Sequence, residues 1–283
     1  MKPAALGVDD RMVAELGELA RPRVQPFRWA DRPRVVGGIS VAAVLLLWEV
    51  VGRRVNPLFF SYPLAIVTEA VEVLPSAEFL RQAWGSLSAF AVGLAAAVVV
   101  GIFVGLLMGR YRLAEFLLDP YVYALDATPR VALIPLLLLW SGLGTSAKIV
   151  VVFLSGVFPI LMNTFSGVRT VSAGLVDIGR AYGASEGQSF TKIMVPTALP
   201  FIMTGIRLGV GRALIGIIVA EMFTAVTGLG GLLTRYASAL TAASTAKFFV
   251  PVIVLALLGV LLSWAVGALQ HRLAVWKETE RGT

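Results

Sequence analysis

Residues 177–200 read DIGRAYGASEGQSFTKIMVPTALP, the longest water-compatible stretch after the first apolar run. Leu175 just before it and Ile178 and Tyr182 within it recur at helical spacing, which predicts a short amphipathic helix. Gly183 then supplies the residue type that most often takes the left-handed conformation ending a helix. Ser185 and Gln188 stand at capping-box spacing, so side chain and backbone can satisfy each other across the start of a second helix. Glu186 in that first turn suits the positive end of the helix dipole. The second helix carries Phe190 and Ile193 and is expected to end near Pro196. Pro200 falls in the first turn of a long apolar helix, where its missing N–H costs little. The expected product is a helical hairpin with Gly183, Ala184 and Ser185 at its tip, small enough to enter a groove on another protein.

Outward from the hairpin the chain is apolar. Of its 283 residues 58% are hydrophobic and 14% charged, against about 25% charged in an ordinary soluble domain. Several runs approach the roughly 20 residues that a membrane helix needs, so the chain reads as an all-α polytopic membrane protein. It has no cysteine, which excludes disulfides and thiolate chemistry. The formal charge of +7 is that of a membrane protein with basic cytoplasmic segments rather than of a nucleic-acid binder. No cleavable signal peptide is expected, because the first apolar run follows a long charged arm.

In order, residues 1–34 form a basic N-terminal arm. Its arginines, mixed with Phe27 and Trp29, suit either contact with anionic lipid headgroups or a plain disordered tail. Residues 35–83 hold the first span (35–51) and an external connection with short helices. Residues 84–270 form the core, with spans expected at 84–108, 129–140, 149–168, 200–224 and 248–270 around the hairpin at 174–197. Residues 271–283 are a charged tail. Gly93, Gly101 and Gly105 place a small-residue stripe on one face of the second span, which favours close helix packing. The third span is short, and Pro129 and Pro135 each disfavour a straight helix by about 3 kcal/mol. That region is either a broken helix lining a cavity or a simple kink, and the helix before it is expected to enter the membrane as well. Residues 141–148 are expected as a tight external turn and 225–247 as the last external segment. Six spans put both termini on one side. Lys and Arg crowd the arms and the loops at 109–128 and 169–199, so that side, with the hairpin, is expected to be cytoplasmic.

Enzyme chemistry is not expected. The glycines near Gly228 lack the Lys and Ser/Thr of a phosphate-binding loop, and Gly209 and Gly211 follow no strand. The single histidine, His271, sits at a span end, and the carboxylates do not cluster at metal spacing. Three charges remain in the fifth span: Arg207, Arg212 and Glu221. Each costs about 2.5–3.5 kcal/mol at a helix centre, so each should face protein or a water-filled cavity. Arg212 and Glu221 are nine residues apart, about 13 Å along a helix, too far to pair directly. Pro129, Pro135, Trp140, Asn163, Arg212 and Glu221 are therefore candidates for a translocation path; for the charges, interhelical packing or headgroup contact is the other reading.

Gly183, then Ile193 ten residues later, then Val195-Pro196, resembles the cytoplasmic loop of ABC-importer permeases. Residues 177–179, Asp-Ile-Gly, depart from that family's Glu-Ala-Ala, and Val195 stands for Leu. The stretches TPRVALIPLLLLWSGLGTSAKI (128–149) and GIRLGVGRALIGIIVAEM (205–222) are similar to the branch importing nitrate, sulfonates and taurine, a branch that also handles vitamin precursors. The resemblance spans about residues 85–270. It implies a type I importer permease of six spans in the bacterial inner membrane, paired with a second permease copy, two ATPase subunits and an external substrate-binding protein. ATP and Mg would sit on the ATPase, with no cofactor on this chain. Asp177, Arg180, Ala181, Tyr182, Gly183, Ala184, Ser185 and Glu186 would form the coupling loop. The alternatives are an ATP-independent secondary transporter or channel, or a membrane scaffold; a secondary transporter has no use for a protruding docking hairpin.

Overall fold

The computed structural model describes residues 33–142, 144–224 and 227–273. The expectations for the basic arm before residue 33 and for the tail after residue 273 lie outside the described residues. The chain divides between Val51 and Gly52 into two units. The first contributes most of helix α1 (Pro33–Arg54), apolar and long enough to span.

The second unit is built on four long helices. They are α3 (Ala77–Arg110), α6 (Thr145–Arg169), α9 (Val195–Thr224) and α11 (Ala242–Leu273). Shorter pieces connect them: α2 (Pro63–Val73), α4 (Arg112–Ala127), α5 (Arg130–Ser141), α7 (Ala173–Ala181), α8 (Glu186–Ser189) and α10 (Leu229–Ser238). No strand occurs among the described residues. Among the described residues five helices are long and apolar enough to cross a membrane; α4 and α5, bent by 98° at their break, make a sixth crossing if the pair is taken as one span. A break of that size is far beyond a kink. It falls at Thr128 and Pro129, where the extended backbone favoured before a proline ends α4.

The expected glycine stripe on α3 brings that helix onto α6. A Cβ at Gly93 would lie 2.7 Å from Val152, and one at Gly105 2.7 Å from Leu161 and Thr164. Ala97, Met108, Val157, Ile160 and Leu161 pack in the seam so formed. Ala213, Leu214 and Ile217 of α9 close a second cluster with Phe90 and Val152.

Three expectations need correction. The helix that carries the second span begins at Ala77, within the stretch expected as connection, because Ser76 caps it by accepting from the Phe79 N–H. Lys148 is not in an external turn: α6 starts at Thr145 and buries it to 3% exposure. Within residues 227–247, α10 buries Leu229, Leu232 and Leu233. Finally, no helix end occurs near Pro196. Residues Phe190–Met194 form a π-helical turn, whose wider register carries the chain into α9 despite Pro196 and Pro200. The Thr197 hydroxyl donates to the Ile193 carbonyl at 2.7 Å, taking up an acceptor there.

Candidate functional site

Three constellations carry polar chemistry. The hairpin comes first. Helix α7 ends in a Schellman motif: the Ala184 N–H donates to the Gly179 carbonyl (3.0 Å) and the Gly183 N–H to the Arg180 carbonyl (2.9 Å). Gly183 has φ of +82°, the left-handed conformation expected of it. Ser185 N–H donates to Gln188 Oε1 at 2.9 Å and Gln188 N–H to Ser185 Oγ at 3.3 Å, completing the capping box. Gly179, one of the three departures from Glu-Ala-Ala, has a packing reason: a Cβ there would meet Ile193 Cδ1 at 2.5 Å. Arg180 bridges Asp177 (3.7 Å) and Glu186 (3.4 Å) across the turn. The Arg110 guanidinium at the end of α3 lies 4.6 Å over the Phe190 ring and donates to the Glu186 carbonyl, and Arg169 pairs with Glu115 at 2.7 Å. These contacts tie the hairpin to α3, and α6 to α4. The apolar stripe of α7, however, faces outward: Leu175, Ile178 and Tyr182 are 43%, 58% and 91% exposed.

The second constellation lies at the opposite end of the bundle. Glu221 on α9 is 1% exposed. Lys148 Nζ donates to its Oε1 at 3.0 Å, the Ser86 hydroxyl donates to the carboxylate at 2.7 Å, and the Gly230 N–H donates to Oε2 at 3.0 Å. Lys148 completes its three donors on the Thr227 carbonyl and hydroxyl, both at 2.9 Å. Ser86 accepts from the Leu229 N–H and Gln82 from the Gly228 N–H. Gly228, at φ +92°, leaves no room for a side chain, because a Cβ would stand 1.9 Å from the Glu221 carboxylate. Four segments, α3, α6, α9 and residues 227–230, thus meet on one buried carboxylate. Lys148, Ser86 and Gln82 were not singled out in the sequence. A lone lysine opening an apolar run and a lone glutamate inside another were the available signal, since membrane charges seek partners.

The third is a cavity of about 310 Å³ at the α4–α5 break. Asp126, Thr128, Pro129, Arg130, Ser155 and Arg212 contribute to its wall. Arg130 pairs with Asp126 and lies 4.9 Å over the Phe158 ring. Arg212 stands 3.6 Å from the same Asp126 carboxylate.

Of the candidate path residues, the structure brings Pro129 and Arg212 together at this cavity. Glu221 sits in the separate buried cluster. Pro135 and Trp140 lie farther along α5, Trp140 with 72% exposure. Asn163 donates to the Pro159 carbonyl at 2.8 Å within α6 and packs beside Gly205. Asp126 and Arg130 join the cavity although the sequence reading had not placed them there. Among the described residues no His/Asp/Glu cluster suited to a metal occurs.

Residues 97–275 match the family model described as "binding-protein-dependent transport system inner membrane component". The chain is similar to the putative aliphatic sulfonates transport permease protein SsuC of Bacillus subtilis (strain 168), 31% identical over 87% of this chain and 89% of that protein. It is also similar to the taurine transport system permease protein TauC of Escherichia coli (strain K12), 30% identical over 92% of this chain and 97% of that protein. Among solved structures, an inward-facing MetNI methionine ABC transporter superposes with a TM-score of 0.57, covering 69% of this chain and 95% of that one at 21% identity. The likeness to that structure concerns the fold. The family match, the two relatives and the bent-helix bundle with its protruding hairpin agree: the chain belongs to the binding-protein-dependent transport system inner membrane components, multi-pass permeases of ATP-driven importers that leave ATP hydrolysis to a separate subunit.

Proposed function

We propose that this permease imports a small anion, a sulfonate or a chemically similar oxyanion, and that its hairpin is the surface through which an ATPase drives it. The observation that carries the coupling role is the outward apolar stripe of Leu175, Ile178 and Tyr182 beside a bare glycine tip. A helix normally buries such a stripe, and large exposed apolar side chains beside a polar rim mark a docking surface. Asp177, Arg180, Ala181, Ala184, Ser185 and Glu186 form the rim and turn around it. ATPase movement felt at the tip would pass to α3 through Arg110 and, by the chain itself, through the π-helical turn into α9.

The working assembly in this reading is two copies of this chain, two ATPase subunits holding ATP and Mg, and an external binding protein that delivers the solute. Both termini and the hairpin face the cytoplasm, as the distribution of Lys and Arg favours. Pro129 and Arg212 lie on the path, at the cavity where α4 breaks. The anion assignment draws support from the sulfonate and taurine permeases that the chain resembles along most of its length. Net charge adds no support, because cytoplasmic segments account for most of it.

The test is uptake into proteoliposomes holding the permease–ATPase complex with its binding protein. Ethanesulfonate and taurine are expected to enter and to compete with each other. Uptake of only a cationic or neutral solute, indifferent to excess ethanesulfonate, would reject the anion assignment.

A further inference from the structure

The cavity at the helix break is unusual in its charge. α4 runs sixteen residues from its start beside the hairpin before it breaks, a rise of about 24 Å. A helix of that length running across the membrane would hold its break inside a hydrocarbon layer of about 30 Å. Arg212 is likewise well inside α9, seventeen residues after its first residue. At this break two guanidinium groups share one carboxylate, Asp126, which leaves one positive charge without an opposite.

The sharing is unequal. Arg130 donates to both the Asp126 carboxylate and its backbone carbonyl, and is held over Phe158. Its Nε is nonetheless buried with no acceptor. Arg212 only approaches Asp126, at 3.6 Å, and its side chain remains 54% exposed. Among the described residues no other carboxylate lies within ion-pair distance of Arg212. The Ser155 hydroxyl and the first turn of α5, whose leading N–H groups have no intrahelical partner, border the same space. Packing of the part-buried Arg130–Asp126 pair alone gives no reason for a second, half-exposed arginine facing the same carboxylate.

We infer that this cavity is an anion station on the translocation path, in which Arg130 and Arg212 receive the sulfonate or similar oxyanion group of the solute and Asp126 yields Arg212 to it. The inference rests on the anion reading above and extends it to named residues. The chemistry fits: planar guanidinium forks match the oxygens of an oxyanion in a way that a lysine point charge does not. The volume, about 310 Å³, is in the range of small-molecule sites. Asp126 makes the station reversible. When the anion leaves, the carboxylate is the competing partner that takes Arg212 back, so neither guanidinium is stranded.

The test uses the intact permease–ATPase complex in proteoliposomes, its loaded binding protein, ATP, and labelled ethanesulfonate as probe. Arg212→Gln and Arg130→Gln are each expected to reduce uptake by about tenfold or more, the scale of a lost charge-assisted contact. Arg212→Lys, which keeps the charge and loses the fork, should fall between wild type and Arg212→Gln. ATPase co-purification with each variant reports assembly; should Arg130→Gln fail to assemble, the two Arg212 variants decide alone. Uptake by Arg212→Gln within about twofold of wild type, or equal loss in Arg212→Gln and Arg212→Lys, would overturn the station while leaving the anion reading intact. Loss of assembly in Arg212→Gln would also overturn it, assigning Arg212 to contact with the second permease copy. Failure of the wild-type complex to carry ethanesulfonate would instead remove the anion reading, and the station with it.

Discussion

Replacing Lys148 by Met tests whether the Glu221 cluster holds one end of the bundle together. Methionine keeps the length and apolar stem of lysine, so the main change is loss of the ammonium. Glu221, 1% exposed, would keep only the neutral donors Ser86 and Gly230. Breaking a buried pair by removing one partner costs roughly 3–5 kcal/mol, because the other charge stays desolvated. The Thr227 carbonyl and hydroxyl also lose their donor, though their position near the bundle end gives them access to other partners. At about 2–4 °C per kcal/mol for a domain of this size, the midpoint of thermal unfolding in detergent should drop by roughly 6–20 °C. Adding Glu221→Gln removes the stranded charge and should recover most of the loss, since neutralising a whole buried pair is often nearly free. The assay is a thermal melt of the purified permease, wild type against both single variants and the double. A drop of less than about 2 °C for Lys148→Met, or a double variant as unstable as the sum of the singles, would refute the view that the charges depend on one another.

Other expectations follow from the same contacts. Gly183→Leu should leave insertion intact, because no atom lies within 4 Å of a Cβ there; its left-handed backbone costs about 1–2 kcal/mol, and ATPase docking or stimulation by the loaded binding protein should fall sharply, measured by co-purification and phosphate release. Gly105→Leu should destabilise the permease far more than Gly85→Leu, since a Cβ at Gly105 meets Leu161 and Thr164 at 2.7 Å while one at Gly85 meets nothing; comparative melts check this. Cysteines placed at residues 112 and 238 should label from opposite faces of the membrane, and labelling of both from one face would contradict the topology.

The hairpin was legible because its determinants are local. Gly183, Ser185 and Gln188 act within a few residues of one another, and capping rules read such spacing directly. The glycine stripe on α3 was legible for a similar reason, as its period shows which face must approach a neighbour. The Glu221 cluster was not. Lys148 lies 73 residues from Glu221 and Ser86 lies 135, and no local pattern marks which membrane charges will meet. Pro196 misled because the rule that proline ends a helix assumes ordinary α register, which the π-helical turn at Phe190–Met194 suspends. Pro129 did mark the break, but not its size, 98°, nor that α5 would pack through Ile134 and Leu138 against Ala147, Val151 and Ala220. Asp126 and Arg130 gained meaning only once that bend folded them toward Arg212.

A chain that moves solute only when an ATPase at the hairpin closes must depend on ATP hydrolysis for uptake. Ethanesulfonate uptake into proteoliposomes containing the full complex measures it directly, comparing ATP with a non-hydrolysable analogue at saturating loaded binding protein. The account predicts accumulation with ATP and none above leak with the analogue. Uptake by the permease alone, driven by a proton or solute gradient with no ATPase subunit present, would contradict it.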